Sequence, residues 1–415
     1  MNTRTSDTRH WFIVIAVLSL FIQGCAGQKP LSPAIAQYND AHFHIANYAM
    51  QGVPLKTLID DYMGDRVSRS TAMPIPLQQK WDPYEHYADD EMPPNYYLVP
   101  KAALYYYSFI DAQLALDYLK LSDEDKTRID PMITGFDPMD NYAVDHIKRV
   151  LLNFPSVFSG IGEFTVHKEV VSNKIAGDTI QAISRDPLPP DATYGGKLSL
   201  YSPALAKVLD FAGEAGLVVI LHSDLYPTKI DYDGKPIGIH PTGSYLEGMK
   251  HLCTASPEAK LVWAHTGLGR LVTPPAGHLD SVAQILDTCP NWSVDISWDL
   301  VQAYIVSPQP GMPSIEQWLS FVRRYPDRVL WGSDTVIHTK NKLDNNGQPV
   351  IGDNMSVKEY VAVLDITSPL WQGLGPEISY KVKIGNHIRL FNAARARVRN
   401  WEKTHANEDI WNLKD

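Results

Sequence analysis

The stretch "LVVILH", residues 217–222, is a short continuous apolar run, rich in β-branched residues, that closes on a histidine. The stretch "KLVWAH", residues 260–265, repeats this pattern, and a helical pattern at 244–255 lies between the two. Continuous apolar runs of this length are typical of strands that are buried on both faces of a parallel sheet. The two strands and the helix form one β-α-β unit, and the repetition of this unit decides the fold.

Eight strands are predicted along the chain, and the later ones are short, continuous apolar runs of this kind. The eight strands are 38–44, 70–76, 129–136, 157–164, 217–222, 260–265, 292–297 and 328–334. Helical patterns fit between them at 54–63, 141–153, 202–215, 244–255, 276–288 and 314–325. Repeated β-α units with eight strands predict an α/β fold, a (β/α)8 TIM barrel, over residues 38–400, with a C-terminal tail at 401–415. A doubly wound open sheet is the alternative. It is disfavoured because no glycine-rich dinucleotide turn follows an early strand.

Two segments interrupt the repeat. Residues 77–110 form a long insertion after strand two that is rich in tyrosine, and residues 177–200 form a second, polar insertion after strand four. Long loops within a compact domain commonly act as lids or binding loops. A role of the first insertion in surface packing or in oligomer formation remains an equal alternative.

The N-terminus has the pattern of a secretory signal. Arg4 and Arg9 precede an apolar run at 11–22, and small residues follow it. The twelve residues of this run are fewer than the roughly 20 that span a bilayer. We therefore predict a signal peptide at 1–24, followed by a linker at 25–37.

This segment also resembles a bacterial lipoprotein signal. Ile22, Gly24 and Cys25 match the lipobox, whereas Gln23 stands where a small or apolar residue is usual. The resemblance implies that Cys25 carries lipid and is the first residue of the mature protein. Ala26 at the next position favours the outer membrane, facing the periplasm. An ordinary signal peptide or an uncleaved anchor remains the alternative.

Composition narrows the classes of partner. The chain has 415 residues, a hydrophobic content of 44% and a net charge of −10. An acidic body argues against nucleic acid, which is bound by basic patches. The partner we expect is a small-molecule substrate, with contact to the membrane only through the N-terminal lipid. The sequence leaves the oligomeric state open, a homo-oligomer included.

Polar residues with metal-binding side chains close five of the predicted strands. They are His42 and His44 in "DAHFH", Glu163 in "GIGEF", His222, His265 and Asp334 in "GSD". In a barrel, the C-terminal strand ends line the mouth of the active site, so these six side chains are expected to converge there. Burying carboxylates and imidazoles without partners costs several kcal/mol each, and a divalent metal offsets this cost.

These motifs, in this order, resemble the amidohydrolase superfamily, specifically its "amidohydrolase 2" branch of metal-dependent barrel enzymes. The matching pieces are "STAMPIP" (70–76), "MITGFDP" (132–138), "AHTGLG" (264–269), "IGNHIRLFN" (384–392) and the strand ends described above. The resemblance covers about residues 37–395 and implies a metal-activated water that attacks an amide, ester or lactone bond. A decarboxylase on the same barrel is the first alternative, and a non-catalytic metal-binding lipoprotein is the second.

The resemblance also assigns roles. His42, His44 and Asp334 would bind the main metal, and His222 would join them in a mononuclear site. In a binuclear site Glu163 would bridge, and His222 and His265 would hold the second ion. Asp334 and His265 are the expected catalytic residues, with Asp334 as the base. Zinc suits this set of ligands, and manganese and iron are the alternatives.

Three further residues are candidates for more specific roles. Arg270 is a candidate for binding a substrate carboxylate, with a structural salt bridge as the alternative. Cys253 and Cys289 end the helices that follow strands five and six, which are neighbours in a barrel. Whether they form a disulfide is left open, because bridged Cα atoms must lie within roughly 7 Å of each other.

Overall fold

The computed structural model describes most of the unit that runs from Gln37 to Asp415. The described residues are 37–47, 50, 52–75, 107–168, 199–227, 243–298, 300–337, 342–343, 349–350 and 357–413. The predicted signal peptide, Cys25, nearly all of the linker and most of both insertions lie outside the described residues.

Eight parallel strands form one sheet in strict sequence order, β1-β2-β3-β4-β5-β6-β7-β8. They are β1 (Tyr38–Asp40), β2 (Val67–Ala72), β3 (Ile129–Ile133), β4 (Gly160–His167), β5 (Val218–Ser223), β6 (Lys260–Trp263), β7 (Trp292–Ile296) and β8 (Val329–Trp331). Each predicted strand has a counterpart, and the predicted (β/α)8 barrel is confirmed.

The barrel closes between its first and last strands. The backbone N–H of Ala41 donates to the carbonyl of Trp331 at 3.1 Å. Beyond this bond, the short strands Phe43–His44 and Thr335–Val336 pair in parallel. The prediction of one continuous strand over 38–44 was wrong in this respect. The strand breaks after Asp40, because the carboxylate of Asp40 accepts the backbone N–H of His42 at 3.0 Å.

Helices alternate with the strands. They are α1 (Leu55–Thr57), α2 (Ile110–Leu119), α3 (Asp123–Thr127), α4 (Ala143–Asn153), α5 (Pro203–Ala215), α6 (Leu246–Ala255), α7 (His278–Thr288), α8 (Ile315–Arg324), α9 (Val357–Ile366), α10 (Ser368–Leu374), α11 (Pro376–Tyr380) and α12 (Asn386–His405). Short π-helical segments lie at Leu58–Met63, Val301–Val306 and Lys381–Gly385. Short 3-10 turns lie at Ser199–Tyr201 and Ala264–Gly267, and two-residue strands at Lys342–Leu343 and Pro349–Val350. Within the described part of the chain, none of these helices has the length and apolar character needed to cross a membrane.

The last helix, α12, closes the end of the barrel opposite the predicted site. Phe391 and Ala394 on this helix are buried among side chains inside the barrel. The helix runs to His405, across the predicted boundary at residue 400, and Trp401 and Glu402 are buried. The C-terminal tail predicted at 401–415 therefore begins inside a packed helix, because Trp401 belongs to the hydrophobic core.

A disulfide joins two neighbouring outer helices. Cys253 in α6 and Cys289, directly after α7, are bonded to each other, with Cα atoms 5.9 Å apart. Both residues are buried. The question that the sequence left open is thus answered in favour of the bridge.

Candidate metal centre

The structure brings all six predicted side chains together at the C-terminal end of the barrel. Most of them are almost fully buried. Glu163 lies at the centre of this cluster. One of its carboxylate oxygens, Oε1, lies 2.8 Å from Nδ1 of His222, 3.5 Å from Nε2 of His265 and 3.8 Å from Nε2 of His42. The other oxygen lies 3.4 Å from Nε2 of His44.

Asp334 lies on the other side of the same histidines. Its Oδ1 atom is 3.0 Å from Nε2 of His44 and 3.3 Å from Nε2 of His42. Its Oδ2 atom is 3.8 Å from Nε2 of His265. Two carboxylates and three imidazoles thus face one small space, which is the type of donor set that holds a divalent metal.

Further carboxylates hold the histidines in place. Asp295 in β7 accepts from Nδ1 of His42 at 3.0 Å, and its other oxygen accepts the backbone N–H of His265 at 2.7 Å. Asp224 lies 2.9 Å from Nε2 of His222. Partners of this kind fix the orientation of a metal-binding histidine and raise its basicity. The sequence did not single out Asp295 or Asp224.

The backbone at the strand ends adopts unusual conformations. His265, Thr266, Trp298 and Asp334 have φ values between 52° and 80°, a region that residues other than glycine rarely occupy. Strained backbone of this kind is concentrated at functional sites. β6 ends at Trp263, two residues before the predicted end of the strand, and the turn that follows directs His265 toward Glu163.

Burial and neighbouring charges shift the pKa values of the residues in this cluster. Burial lowers the pKa of His42, but Asp295 and Asp334 outweigh burial and raise it to about 10. Burial raises the pKa of Asp334 and of Glu163, yet the surrounding cations hold both well below their usual range. For His265, burial is the largest effect and lowers the pKa. The two carboxylates are therefore ionised at neutral pH, and their negative charge favours a cation in the space between the histidines.

The residues fit a metal. The Nε2 atoms of His42 and His265 are buried and have no hydrogen-bond partner among the described residues. Three sets of potential ligand atoms each lie within 4.8 Å of one another. The sets are His42–His44–Glu163, His42–His265–Asp334 and Glu163–His222–His265. Because Glu163 belongs to two of them, the arrangement is compatible with one ion or with two ions that share this carboxylate. Metal binding by these six residues stays a prediction.

Arg270 lies at the mouth but not among the six residues. It is exposed, and its guanidinium carbon lies 4.6 Å from the centre of the Trp298 ring. The same ring lies 4.7 Å from the ring of His265. Lys168, directly after β4, also lies over Trp298. Lys168 and Trp298 were missed because they lie just beyond the apolar runs that define the strands.

A comparison with models of known protein families identifies the family of this chain. Residues 184–392, half of the chain, match the family model described as amidohydrolase. The chain belongs to the amidohydrolase family. None of the curated proteins compared with this amidohydrolase matches it.

Several solved structures are similar to this amidohydrolase at low identity. An amidohydrolase from Burkholderia multivorans with bound zinc is 12% identical, with 86% of this chain and 99% of that chain covered and a TM-score of 0.44. A putative 2-pyrone-4,6-dicarboxylic acid hydrolase from Pseudomonas putida is 12% identical, with 86% and 97% covered and a TM-score of 0.43. Dihydroorotase from Saccharomyces cerevisiae, in complex with 5-fluoroorotic acid, is 14% identical, with 88% and 87% covered and a TM-score of 0.44. These likenesses are too distant to assign a reaction or a substrate to this chain.

Proposed function

We propose that the protein is a metal-dependent hydrolase that cleaves an amide, ester or lactone bond of a small molecule. The observation that carries this proposal is the convergence of four histidines and two carboxylates, from five strand ends, on one buried space. A scaffold has no need for so many ionisable groups in its interior, because their burial costs free energy. A site that handles water and protons does need them.

The metal would be held by His42, His44 and Asp334, with Glu163, His222 and His265 available to the same ion or to a second one. When bound, it would supply Lewis acidity, which brings the pKa of water to about 7. Zinc fits the mixture of imidazoles and carboxylates, and manganese and iron are the alternatives to test.

Within this proposal, Asp334 is the general base. Its carboxylate is ionised at neutral pH, and its side chain, 8% exposed, reaches the edge of the cluster. An oxygen of Asp334 takes the proton of the attacking water and passes it to the leaving group. Nε2 of His265 lies 3.8 Å from Oδ2 of Asp334 and faces the same space, so His265 is positioned to share the proton transfer with Asp334. Asp295 holds His42 and the backbone of His265 in place.

The test begins with the metal content of the purified protein. We expect one or two equivalents by elemental analysis, and His42→Ala should lose most of this metal. Protein that holds no metal when purified without chelators, and none after reloading, would contradict the proposal.

Loaded protein is then offered esters, lactones, amides and carboxylated aromatic compounds. Hydrolysis products support the proposal. Release of CO2 without hydrolysis would reassign the enzyme as a decarboxylase. Metal-loaded protein that turns over no member of the panel would favour a binding protein.

We further propose that the chain is exported and anchored by lipid at Cys25 in the outer membrane. The charged and apolar segments before Cys25 support this, and the disulfide between Cys253 and Cys289 suits an oxidising compartment. Labelled palmitate should enter the wild-type protein and not Cys25→Ser. Equal labelling of both proteins would exclude this anchor.

A further inference from the structure

Two cations from different strand ends lie over one aromatic ring at the mouth of the barrel. The ring belongs to Trp298, which follows β7. Nζ of Lys168, directly after β4, lies 5.2 Å from its centre, and the guanidinium carbon of Arg270, in the loop after β6, lies 4.6 Å from it. Neither lysine nor arginine is a candidate metal ligand, so this group is distinct from the six residues described above.

The group lies directly beside the candidate metal ligands. The ring of Trp298 is 4.7 Å from the ring of His265 and 5.7 Å from that of His222, measured between centroids. A molecule bound at the metal centre would therefore extend onto the indole and reach both cations within the length of a few bonds.

The burial of Lys168 is unusual for a lysine. Only 8% of the residue is exposed, although lysine is among the residue types least often buried. The face of the indole and the negative charge of Glu163 both stabilise this ammonium group. The charge of Lys168 is also felt in the cluster, where it helps to hold the pKa of Glu163 low against the effect of burial. A second cation at this mouth increases the attraction for an anion.

We propose that Lys168 and Arg270, together with the face of Trp298, bind a carboxylate of the substrate next to the bond that is broken. This assignment rests on the proposed function and adds the substrate class, a carboxylic acid. A guanidinium pairs with a planar carboxylate through two parallel hydrogen bonds, and an ammonium adds a point charge. The indole ring holds the two charged groups beside the candidate metal ligands.

Isothermal titration of the full chain with glutarate, in protein treated with chelator, tests this site without any contribution from metal. Glutaramide, which has the same carbon skeleton and no charge, is the control ligand. We expect Lys168→Met and Arg270→Gln each to weaken glutarate binding roughly tenfold or more, as for the loss of one charge-assisted hydrogen bond. Lys168→Arg should retain much of the affinity, because it keeps the charge.

Lys148→Met is the matched control variant. Lys148 also lies over an aromatic ring, that of Phe211, at 5.6 Å, but it belongs to α4 on the outside of the barrel. This variant should bind glutarate as the wild type does. Since Arg270 is exposed, Arg270→Gln keeps the test valid even if Lys168→Met does not fold.

The outcomes are separable from those of the metal experiment. Glutarate binding that is unchanged in Lys168→Met or in Arg270→Gln overturns the carboxylate site, whatever metal the protein holds. Glutaramide that binds as tightly as glutarate also overturns the carboxylate site, because the site would then not recognise the charge. Inorganic phosphate that binds more tightly than glutarate, and is lost in both variants, overturns the carboxylate as the ligand class. Absence of metal affects only the proposed function.

Discussion

At the scale of single residues, Asp334 carries the most specific role. In the proposed mechanism it contacts the metal and accepts a proton. Asp334→Asn keeps the shape and one oxygen ligand but cannot act as a base near pH 7. General-base catalysis contributes typically about 10²- to 10⁴-fold, so kcat should fall by about that factor while much of the metal remains. Turnover and metal content must be measured on the same preparation.

The control for this variant is Asp327→Asn. Asp327 is an exposed carboxylate that pairs with Lys381 at 3.0 Å, next to the N-terminal end of β8 and away from the site. Its replacement should leave kcat unchanged. Near-normal turnover by metal-loaded Asp334→Asn would remove Asp334 from the role of base and make it a structural turn residue.

Asp295 is expected to act through the histidines that it holds. Asp295→Asn keeps the side-chain volume but loses the charge that orients His42. Loss of such partners typically lowers metal affinity by about 10- to 100-fold. Competition with a chromogenic chelator measures the affinity, and circular dichroism checks the fold. A variant that binds metal as tightly as the wild type would show that the position of His42 does not depend on this carboxylate.

The difference between the prediction of Asp334 and the omission of Asp295 has a physical basis. Asp334 ends an apolar run, and in a barrel that position alone places a side chain at the mouth. Asp295 lies inside the strand "WSVDIS", where alternation along the sequence does not distinguish an inward carboxylate from an outward one. Only the packing of β7 against its neighbours brings Asp295 to His42.

At the scale of elements, the sequence predicted where the strands lie better than where they end. Buried apolar runs marked the later strands, because burial on both faces requires continuous apolar sequence. The ends shifted where a side chain competes for a backbone hydrogen bond. Asp40 does this in the first strand, and Asp295 does it at His265, where it accepts the backbone N–H. The competition at His265 comes from a distant strand, and neither hydrogen bond leaves a periodic signal in the sequence.

The turn in β4 that presents Glu163 depends on Gly162. Its φ is 100°, and a Cβ atom added there would lie 2.1 Å from the carbonyl oxygen of Ile220 in β5. Gly162→Ala should therefore separate β4 from β5 at the site. We expect it to lower the free energy of unfolding by more than about 2 kcal/mol and to reduce the metal content. Denaturant unfolding and elemental analysis measure the two effects.

Gly277→Ala is the matched control. Gly277 precedes α7, and a Cβ atom there would have no neighbour within 4 Å. This variant should have the stability and metal content of the wild type. If Gly162→Ala behaved in the same way, the close approach of β4 and β5 would not limit the position of Glu163.

At the scale of the whole molecule, the C-terminal region contributes more than its sequence suggested. The motif "IGNHIRLFN" entered the sequence analysis only as a mark of resemblance. In the structure, Asn386 donates to the carbonyls of Pro326 and Val329, both at 2.8 Å, and Phe391 enters the barrel interior. The last helix could not be placed from sequence, because its partner is a barrel end built by distant strands.

Acid should destabilise the molecule through His278. This residue is fully buried, and burial lowers its pKa to about 4, against 6.5 for the exposed side chain. The unfolded chain therefore takes up a proton first as the pH falls. The contribution of the neutral His278 side chain to the free energy of unfolding is present above pH 6.5 and is lost as the pH falls toward 4. Between pH 7 and pH 5, this contribution falls by about 2 kcal/mol.

Urea unfolding of the chelator-treated protein at pH 7 and at pH 5 measures the loss due to His278, when the wild type is compared with His278→Gln. The glutamine does not titrate, so the variant should lose about that much less stability on acidification. Equal losses in both proteins would mean that other groups cause the acid sensitivity and that His278 titrates normally.

The disulfide between Cys253 and Cys289 is expected to contribute to the free energy of unfolding. Cys253 and Cys289 close a loop of 36 residues between α6 and α7, and they lie at the helix ends that precede β6 and β7, at the end of the barrel away from the site. Removing a bridge of this kind typically costs about 2–4 kcal/mol. The double variant Cys253→Ala/Cys289→Ala should lose this amount in denaturant unfolding and keep its metal content, because no site residue contacts the bridge in the described part of the chain.

A reductant should destabilise the wild type to the same level and leave the double variant unaffected. A wild type that is indifferent to reductant, with two thiols open to alkylation after denaturation, would contradict the bridge and weaken its support for export.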